Sequence, residues 1–378
     1  MNRPREALAP AVPGTAATPA RVALLGVGTV GRALLARLAE RNDPRLSLQF
    51  VATSRRRLQA TAGLAAAACA EALARSDGPR AAPPSLASST GAAALPVCEP
   101  HDGGGALPAH FGPGDIVVDA TASAELAAWH PRWLRQGLHV VSANKLGLGG
   151  PLLRQHEIAQ LVNAERRYGD AATVGAGLPL LATLRQLRAG GDRIGAIVGV
   201  LSGTLAWLFD GYDGREAFSD RVRAAVAQGY AEPDPRVDLS GEDVRRKLLI
   251  LARTAGYPLE SEEVRVDSLL TPALQAAAAG EVDAALRGLD GPLGERAARA
   301  RGDGRVLRYV ARFDAAGARI GLESLAPDDP IAVGRGCDNR VAVWSSRYRE
   351  RPLQIQGPGA GAGVTAAALL DDLLRVVG

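Results

Sequence analysis

Of the 44 basic residues in this 378-residue chain, only Lys145 and Lys247 are lysines. A chain that writes arginine almost everywhere has kept lysine at two places, each inside a motif-like run. Arginine cannot release its proton near neutral pH, whereas lysine is a compact cation able to act as an acid or a base. Lys247 follows an acidic, proline-containing run, Gly229 to Asp243, that carries Glu232, Asp234, Asp238, Glu242 and Asp243. The two prolines make the first half a stiff loop without helix, and Ser240 is placed to cap a helix whose buried face is Val244, Leu248, Leu251 and Ala255. Asp243 and Lys247 are four apart and share a face of that helix. They could form a plain ion pair, with Asp243 closing a capping box on Ser240. They could also hold and move a proton.

A reaction that needs such a proton is suggested near the start of the chain. Arg21 to Leu25 is a short apolar run read as a buried strand, and Gly26-Val27-Gly28-Thr29-Val30-Gly31 follows at once, before a helical pattern with Val30, Leu34 and Leu38 on one face. Strand, glycine motif and helix in that order leave a helix N-terminus for a pyrophosphate, and Gly26 to Gly31 are the expected dinucleotide contacts. The next strand, Leu46 to Ala52, runs into Thr53-Ser54-Arg55-Arg56-Arg57, with no Asp or Glu between Asp43 and Glu71. An acid at the end of this strand would bind ribose hydroxyls; arginines instead suit a 2′-phosphate, so NADP is expected in preference to NAD, with Arg55 and then Arg56 as contacts. Residues 58–113 read as one helix and a loose connector. Two further strands, Asp115 to Thr121 and Leu138 to Val141, end in Thr121-Ala122-Ser123 and Ser142-Ala143-Asn144-Lys145, where such sheets bind their ligands.

The pattern changes after about residue 149. Thr173 to Pro179 leads into a helix with Pro179 in its first turn, and Ile194 to Leu201 is a strand ending at Ser202-Gly203-Thr204. An alanine-rich helical region extends to about Arg301. Val306 to Phe313 and Ala318 to Leu325 form a hairpin, and Arg340 to Ser345 and Leu353 to Gln356 add strands. Gly357-Pro358-Gly359-Ala360-Gly361 then opens a last helix, and it lacks the lysine of a phosphate-binding P-loop. The expected fold is α/β: a Rossmann-type nucleotide-binding domain plus an α+β substrate and dimerisation domain with a mixed sheet.

The run from Glu232 through Asp238 and Asp243 to Lys247 closely resembles the substrate-site signature of the homoserine dehydrogenases, NAD(P)-dependent enzymes that interconvert L-aspartate 4-semialdehyde and L-homoserine. The Ala143-Asn144-Lys145 run and both glycine runs in the middle of the chain are similar to that family too, and the resemblance covers residues 21–374. It implies Lys247, Asp243 and Lys145 as catalytic residues. Glu232, Asp238, Lys145, Gly203 and Thr204 become substrate contacts. Thr121, Ala122, Ser123, Lys145 and Gly361 join the cofactor contacts. Some members bind a monovalent cation through main-chain carbonyls, which would fall here at Val174, Ala176 and Leu178, with Asp170 the acid nearby. The resemblance further implies a homodimer and a final segment that returns to the first domain. The expected division is a disordered tail 1–20, a dinucleotide domain 21–148 plus 357–378, and a substrate domain 149–356. No regulatory ACT domain is expected after the last helix, nor a fused aspartate kinase before residue 21.

Composition bounds the alternatives. A net charge of +4 spread as scattered arginine argues against a nucleic-acid partner. No apolar run suits a membrane span, residues 1–20 lack a signal-peptide core, and three distant cysteines suggest neither disulfides nor zinc, so a cytoplasmic enzyme is expected. The five histidines fall between His101 and His156 without metal-ligand spacing. With no histidine after His156, Lys247 is the best donor for the carbonyl oxygen that hydride transfer creates. Two rivals remain at this stage: an acylating semialdehyde dehydrogenase using Cys98 or Cys337, and a nucleotide-sensing Rossmann protein without turnover.

Overall fold

The computed structural model describes residues 18–75, 98–334 and 336–378; most of the expected N-terminal tail lies outside them. The first sheet has seven strands: β1 (Ala20–Leu25), β2 (Leu46–Ala52), β3 (Arg56–Gln59), β4 (Cys98–Pro100), β5 (Ile116–Asp119), β6 (His139–Ser142) and β7 (Tyr168–Gly169). Their order is β4-β3-β2-β1-β5-β6-β7. The five strands from β2 to β7 in that row run parallel, and β3 and β4 are added antiparallel at one edge. The parallel strands are buried along most of their length, which is why they read as continuous apolar runs.

Two details here differ from expectation. Arg56 and Arg57 belong to β3, which folds back on β2 through a tight turn at Thr53, and Cys98 sits in edge strand β4 instead of an irregular loop. Four-residue and three-residue strands at an edge carry too little alternation to be read from sequence. The first sheet also continues to β7 at Gly169, past the change of pattern at residue 149.

The second sheet contains β8 (Ile194–Val200), β9 (Val264–Val266), β10 (Val306–Asp314), β11 (Gly317–Leu325), β12 (Asp338–Ser345) and β13 (Leu353–Pro358), in the order β13-β12-β8-β10-β11-β9. It is mixed: β9 pairs parallel to β11 and the other pairings are antiparallel. One hydrophobic core runs from the first sheet (Ala23, Phe50, Val117, Val140) through Leu248 and Ile250 to Tyr309 and Phe313 of the second. This shared core fixes the carboxyl ends of the parallel strands against the helix that carries Lys247.

The last helix, Ala362–Val377, packs Ala366, Leu369 and Leu373 into a second core with Val22, Leu34, Leu35 and Val118, so the chain does close back onto the first sheet. Its Asp372 is buried, accepting from the Ala171 N–H at 2.9 Å and from Arg375 at 2.7 Å. Burial pushes the Asp372 carboxyl up to about 6, against the pull of the Ala171 N–H, and the neighbouring Asp170 adds to the rise. Because the folded value exceeds the unfolded one, the associated stability is present below about pH 4 and is lost as pH rises through about 6. Asp372→Asn is therefore expected to raise stability at pH 8 by up to about 2 kcal/mol, with the gain vanishing near pH 4 in thermal melts. A variant that melts lower at pH 8 would contradict this.

Candidate active site

The region around Lys247 departs locally from the sequence reading. Residues 236–239 form a helical turn, Arg236–Leu239, with Pro235 ahead of it where a missing N–H costs nothing. Ser240 closes that turn, and Gly241, at φ 79°, starts the next helix, Glu242–Thr254. A Cβ on Gly241 would lie 2.4 Å from the Tyr309 hydroxyl, so a glycine bends the chain where a serine cap was expected. Ser240 Oγ still accepts from the Glu242 N–H at 3.2 Å. Asp243 is thereby free of capping duty.

Asp243 instead joins the two lysines. Its Oδ2 lies 2.8 Å from Lys247 Nζ and its Oδ1 3.2 Å from Lys145 Nζ. Burial pushes the Asp243 carboxyl upward, but the Lys247 and Lys145 ammonium groups outweigh it and hold it well below the usual carboxylate range. Lys247 is buried and donates a second hydrogen bond to the Leu201 carbonyl at 2.8 Å. An ammonium has three protons, so one remains for a substrate oxygen. Leu201 follows the end of β8, a main-chain contact that no side-chain motif could have revealed.

Three residues on from Leu201, Thr204 lies in the helix Gly203–Phe209, which Ser202 caps by accepting from the Leu205 N–H. The Thr204 hydroxyl lies 2.8 Å from Asp238 Oδ1 and 2.6 Å from the Tyr230 carbonyl, its single proton shared between these two acceptors, and Asp238 Oδ2 accepts from the Glu232 N–H at 2.9 Å. Asp238 is thus occupied in tying the Glu232 loop to Thr204, while the Glu232 residue stays exposed.

Lys145 is held from the first sheet. Buried Asn144, its neighbour, donates to Asp119 Oδ2 at 2.9 Å and to the Ser123 carbonyl at 2.8 Å, and its own Oδ1 accepts from the Leu146 N–H. Asp119 also accepts from Thr121 and pairs with fully buried His130 at 2.9 Å. Burial pushes the Asp119 carboxyl up, and the hydrogen bond and charge of His130 bring it below its ordinary value. These clamps tie Thr121 and Ser123, on either side of Ala122, to the residue before Lys145. Asp119, Asn144 and His130 were not among the expected site residues; an acid closing an otherwise apolar strand was the available signal.

The glycine loop abuts the same strand ends. A Cβ on Gly26 would lie 2.7 Å from Thr121 Cγ2, and one on Gly31 only 2.0 Å from the Gly26 carbonyl oxygen. Val27 is buried, and Gly28 leads into the 13-residue helix Thr29–Arg41, whose first residues are Thr29 and Val30, with no side-chain hydrogen bond capping its N-terminus at Gly28. This cradle fits a dinucleotide pyrophosphate. At the end of β2, Arg55 is exposed at the turn, Arg56 is half-buried, and Arg57 pairs with Glu99. Gly361, at φ 120°, opens the last helix, and neighbouring Ala360 packs 3.9 Å from the Cβ position of Gly203.

The turn expected to hold a cation is compact main chain. Gly175, Ala176 and Gly177 all have positive φ, and Val174 and Ala176 are buried in the turn that precedes Leu178. The nearby acid, Asp170, is already paired in both oxygens with Arg185, one contact at 2.9 Å. A guanidinium therefore supplies the positive charge beside this turn. Among the described residues, no group of three or more His, Cys, Asp or Glu could hold a metal ion, and no helix is long and apolar enough to cross a membrane.

Comparison with known proteins agrees with this geometry. Residues 179–374 match the family model described as homoserine dehydrogenase, and residues 26–168 match its NAD-binding domain. The homoserine dehydrogenase of Schizosaccharomyces pombe is 37% identical over 276 residues, covering 69% of this chain and 72% of that protein. A bifunctional aspartokinase/homoserine dehydrogenase of Escherichia coli is 45% identical over 266 residues, 69% of this chain but 32% of that protein. The chain thus spans about a third of the length of the bifunctional relatives it matches. A Candida auris protein described as of unknown function has a solved structure at 30% identity and TM-score 0.79, covering 95% of this chain and 98% of that one. A hyperthermophilic archaeal homoserine dehydrogenase in complex with NADPH shares the fold at 19% identity, with TM-score 0.67 and coverage of 95% and 97%. The chain belongs to the homoserine dehydrogenase family of NAD(P)-dependent oxidoreductases.

Proposed function

We propose that this chain interconverts L-homoserine and L-aspartate 4-semialdehyde by hydride transfer, with Lys247 carrying the proton. The observation that carries the reading is the Lys145–Asp243–Lys247 cluster at the ends of β6 and β8, which joins a mobile proton to a fixed carboxylate. When bound, NAD(P) supplies the acceptor or donor of the hydride. In the reducing direction the Lys247 ammonium gives its free proton to the aldehyde oxygen; in the oxidising direction the neutral amine takes the hydroxyl proton. Asp243 aims Lys247 and keeps Lys145 beside the same oxygen. Glu232 binds the substrate ammonium, on a loop that Asp238 and Thr204 hold in place. NADP reduction by L-homoserine at alkaline pH tests the reading directly. The activity would place the protein in the aspartate-derived route to threonine and methionine, in the cytoplasm.

One observation keeps a second reading in play: Cys337 is exposed and lies against Gly203, its carbonyl 3.2 Å from the Cβ position there. A cysteine-acylating enzyme would die on alkylation; the hydride-transfer reading expects activity to survive it.

The preference for NADP follows from Arg55 and Arg56, with no acid between Asp43 and Glu71. Replacing both with Ala is expected to raise the KM for NADP roughly 10-fold or more, as lost charge-assisted phosphate contacts would, and to leave that for NAD nearly unchanged. Equal effects on both cofactors would remove the argument. The protein acts as a homodimer through its second sheet, where β13 is an edge strand with its outer side unpaired among the described residues. Light scattering should give twice the monomer mass, and a monomer would defeat the proposal.

A further inference from the structure

We infer that Asn339 is a positioning residue for the proton transfer, acting on Lys247 through the Leu201 carbonyl; this rests on the dehydrogenase reading above. Asn339 is in β12 and fully buried. Its Nδ2 donates to the Leu201 carbonyl at 3.3 Å, the same oxygen that accepts from Lys247 Nζ at 2.8 Å. A carbonyl oxygen has two lone pairs, so both donors can be served at once, and each fixes the direction left to the other. Asn339 Oδ1, by contrast, is buried without a hydrogen-bond partner among the described residues.

A buried acceptor left unpaired destabilises a fold, and native structures keep few of them. β12 buries Val341, Ala342 and Val343 and also the polar Arg340 and Ser345, but those two are paired with Gln356 and Asp192, so the unpaired oxygen would favour an apolar side chain of the same size at position 339. The retained amide is explained by its satisfied end. It pins the carbonyl that aims Lys247, so the ammonium keeps one defined direction for its free proton. The carboxamide also packs under the last glycine run, where a Cβ on Gly359 would lie 2.1 Å from Asn339 Cγ. Asn339 therefore sits between the proton donor and the turn of the last glycine run.

Asn339→Leu separates this role from a structural one, because Leu fills the same space, removes the unpaired oxygen and gives up only the bond to Leu201. The variant is expected to melt at or above the wild-type temperature and to bind NADPH normally by fluorescence titration. Its kcat for homoserine oxidation should fall roughly 10- to 100-fold, as for a slightly misaligned reacting group, with KM little changed. Asn339→Asp, which turns an oxygen toward the Leu201 carbonyl, should be at least as slow. Wild-type kcat in both variants would overturn the inference. So would an Asn339→Leu protein that is unstable or unfolded, since that places the amide's role in the fold. A wild-type protein without homoserine turnover would instead reject the functional reading itself.

Discussion

Lys247→Arg is expected to yield a folded protein that binds NADP(H) normally and oxidises homoserine roughly 10² to 10⁴ times more slowly than wild type, the usual loss for a missing general acid or base. Arginine keeps the charge and could still pair with Asp243, so a purely structural ion pair would survive the exchange with turnover intact, any cost at this buried position falling on stability alone. Guanidinium cannot give up its proton at working pH, however. Its planar fork also cannot reproduce the tetrahedral ammonium that serves Asp243 at 2.8 Å and Leu201 at 2.8 Å with one proton to spare. Circular dichroism, cofactor titration and single-turnover rates would separate the two roles. Near wild-type turnover would return Lys247 to the structural ion pairs.

Asp243→Asn should cost both activity and stability. One carboxylate now faces two ammonium groups; an amide can accept from one of them and must turn its own N–H₂ toward the other. Lys247 is buried and would be left beside Lys145 without a counter-charge. Partial exposure of Asp243 limits the destabilisation to about 1–3 kcal/mol, while kcat should fall roughly 10² to 10³-fold. The Asp243 carboxyl is held below its ordinary value, so the stability it contributes is present above about pH 4 and is lost as pH falls through its lower folded value. In the variant that acid-side dependence should flatten in thermal melts carried from pH 5 down to about pH 2. A variant as active as wild type would show that Lys247 needs no carboxylate to aim it.

The sequence carried much of this architecture because its strongest signals were local. The strand before Gly26, the run Leu46 to Ala52 and the hairpin around Asp314 each combine apolar runs or alternation with glycine or turn residues, and each is found within a residue or two of its expected place. Short edge strands were not legible: β3 and β4 are too brief to show alternation, and β3 is rich in arginine. The Gly241 start was hidden by an apparently good cap at Ser240, because the choice between them depends on Tyr309, far along the chain. The site divides in the same way. Asp243 and Lys247 announce themselves by helical spacing, whereas the contact of Lys145 with Asp243 links residues 98 positions apart. The Leu201 carbonyl is invisible to any reading of side chains. Asp238 and Glu232 were read together as substrate contacts; Asp238 also accepts from Thr204 and from the Glu232 N–H, which makes it the organiser of the loop.

The most direct measurement is the initial rate of NADPH formation from NADP and L-homoserine at alkaline pH, with wild type and Lys247→Arg assayed side by side at equal folded concentration. Homoserine-dependent NADPH formation is expected in the wild type, with a rate at least about 10²-fold lower in the variant. No homoserine-dependent reduction in the wild type, or equal rates in the two proteins, would contradict this expectation.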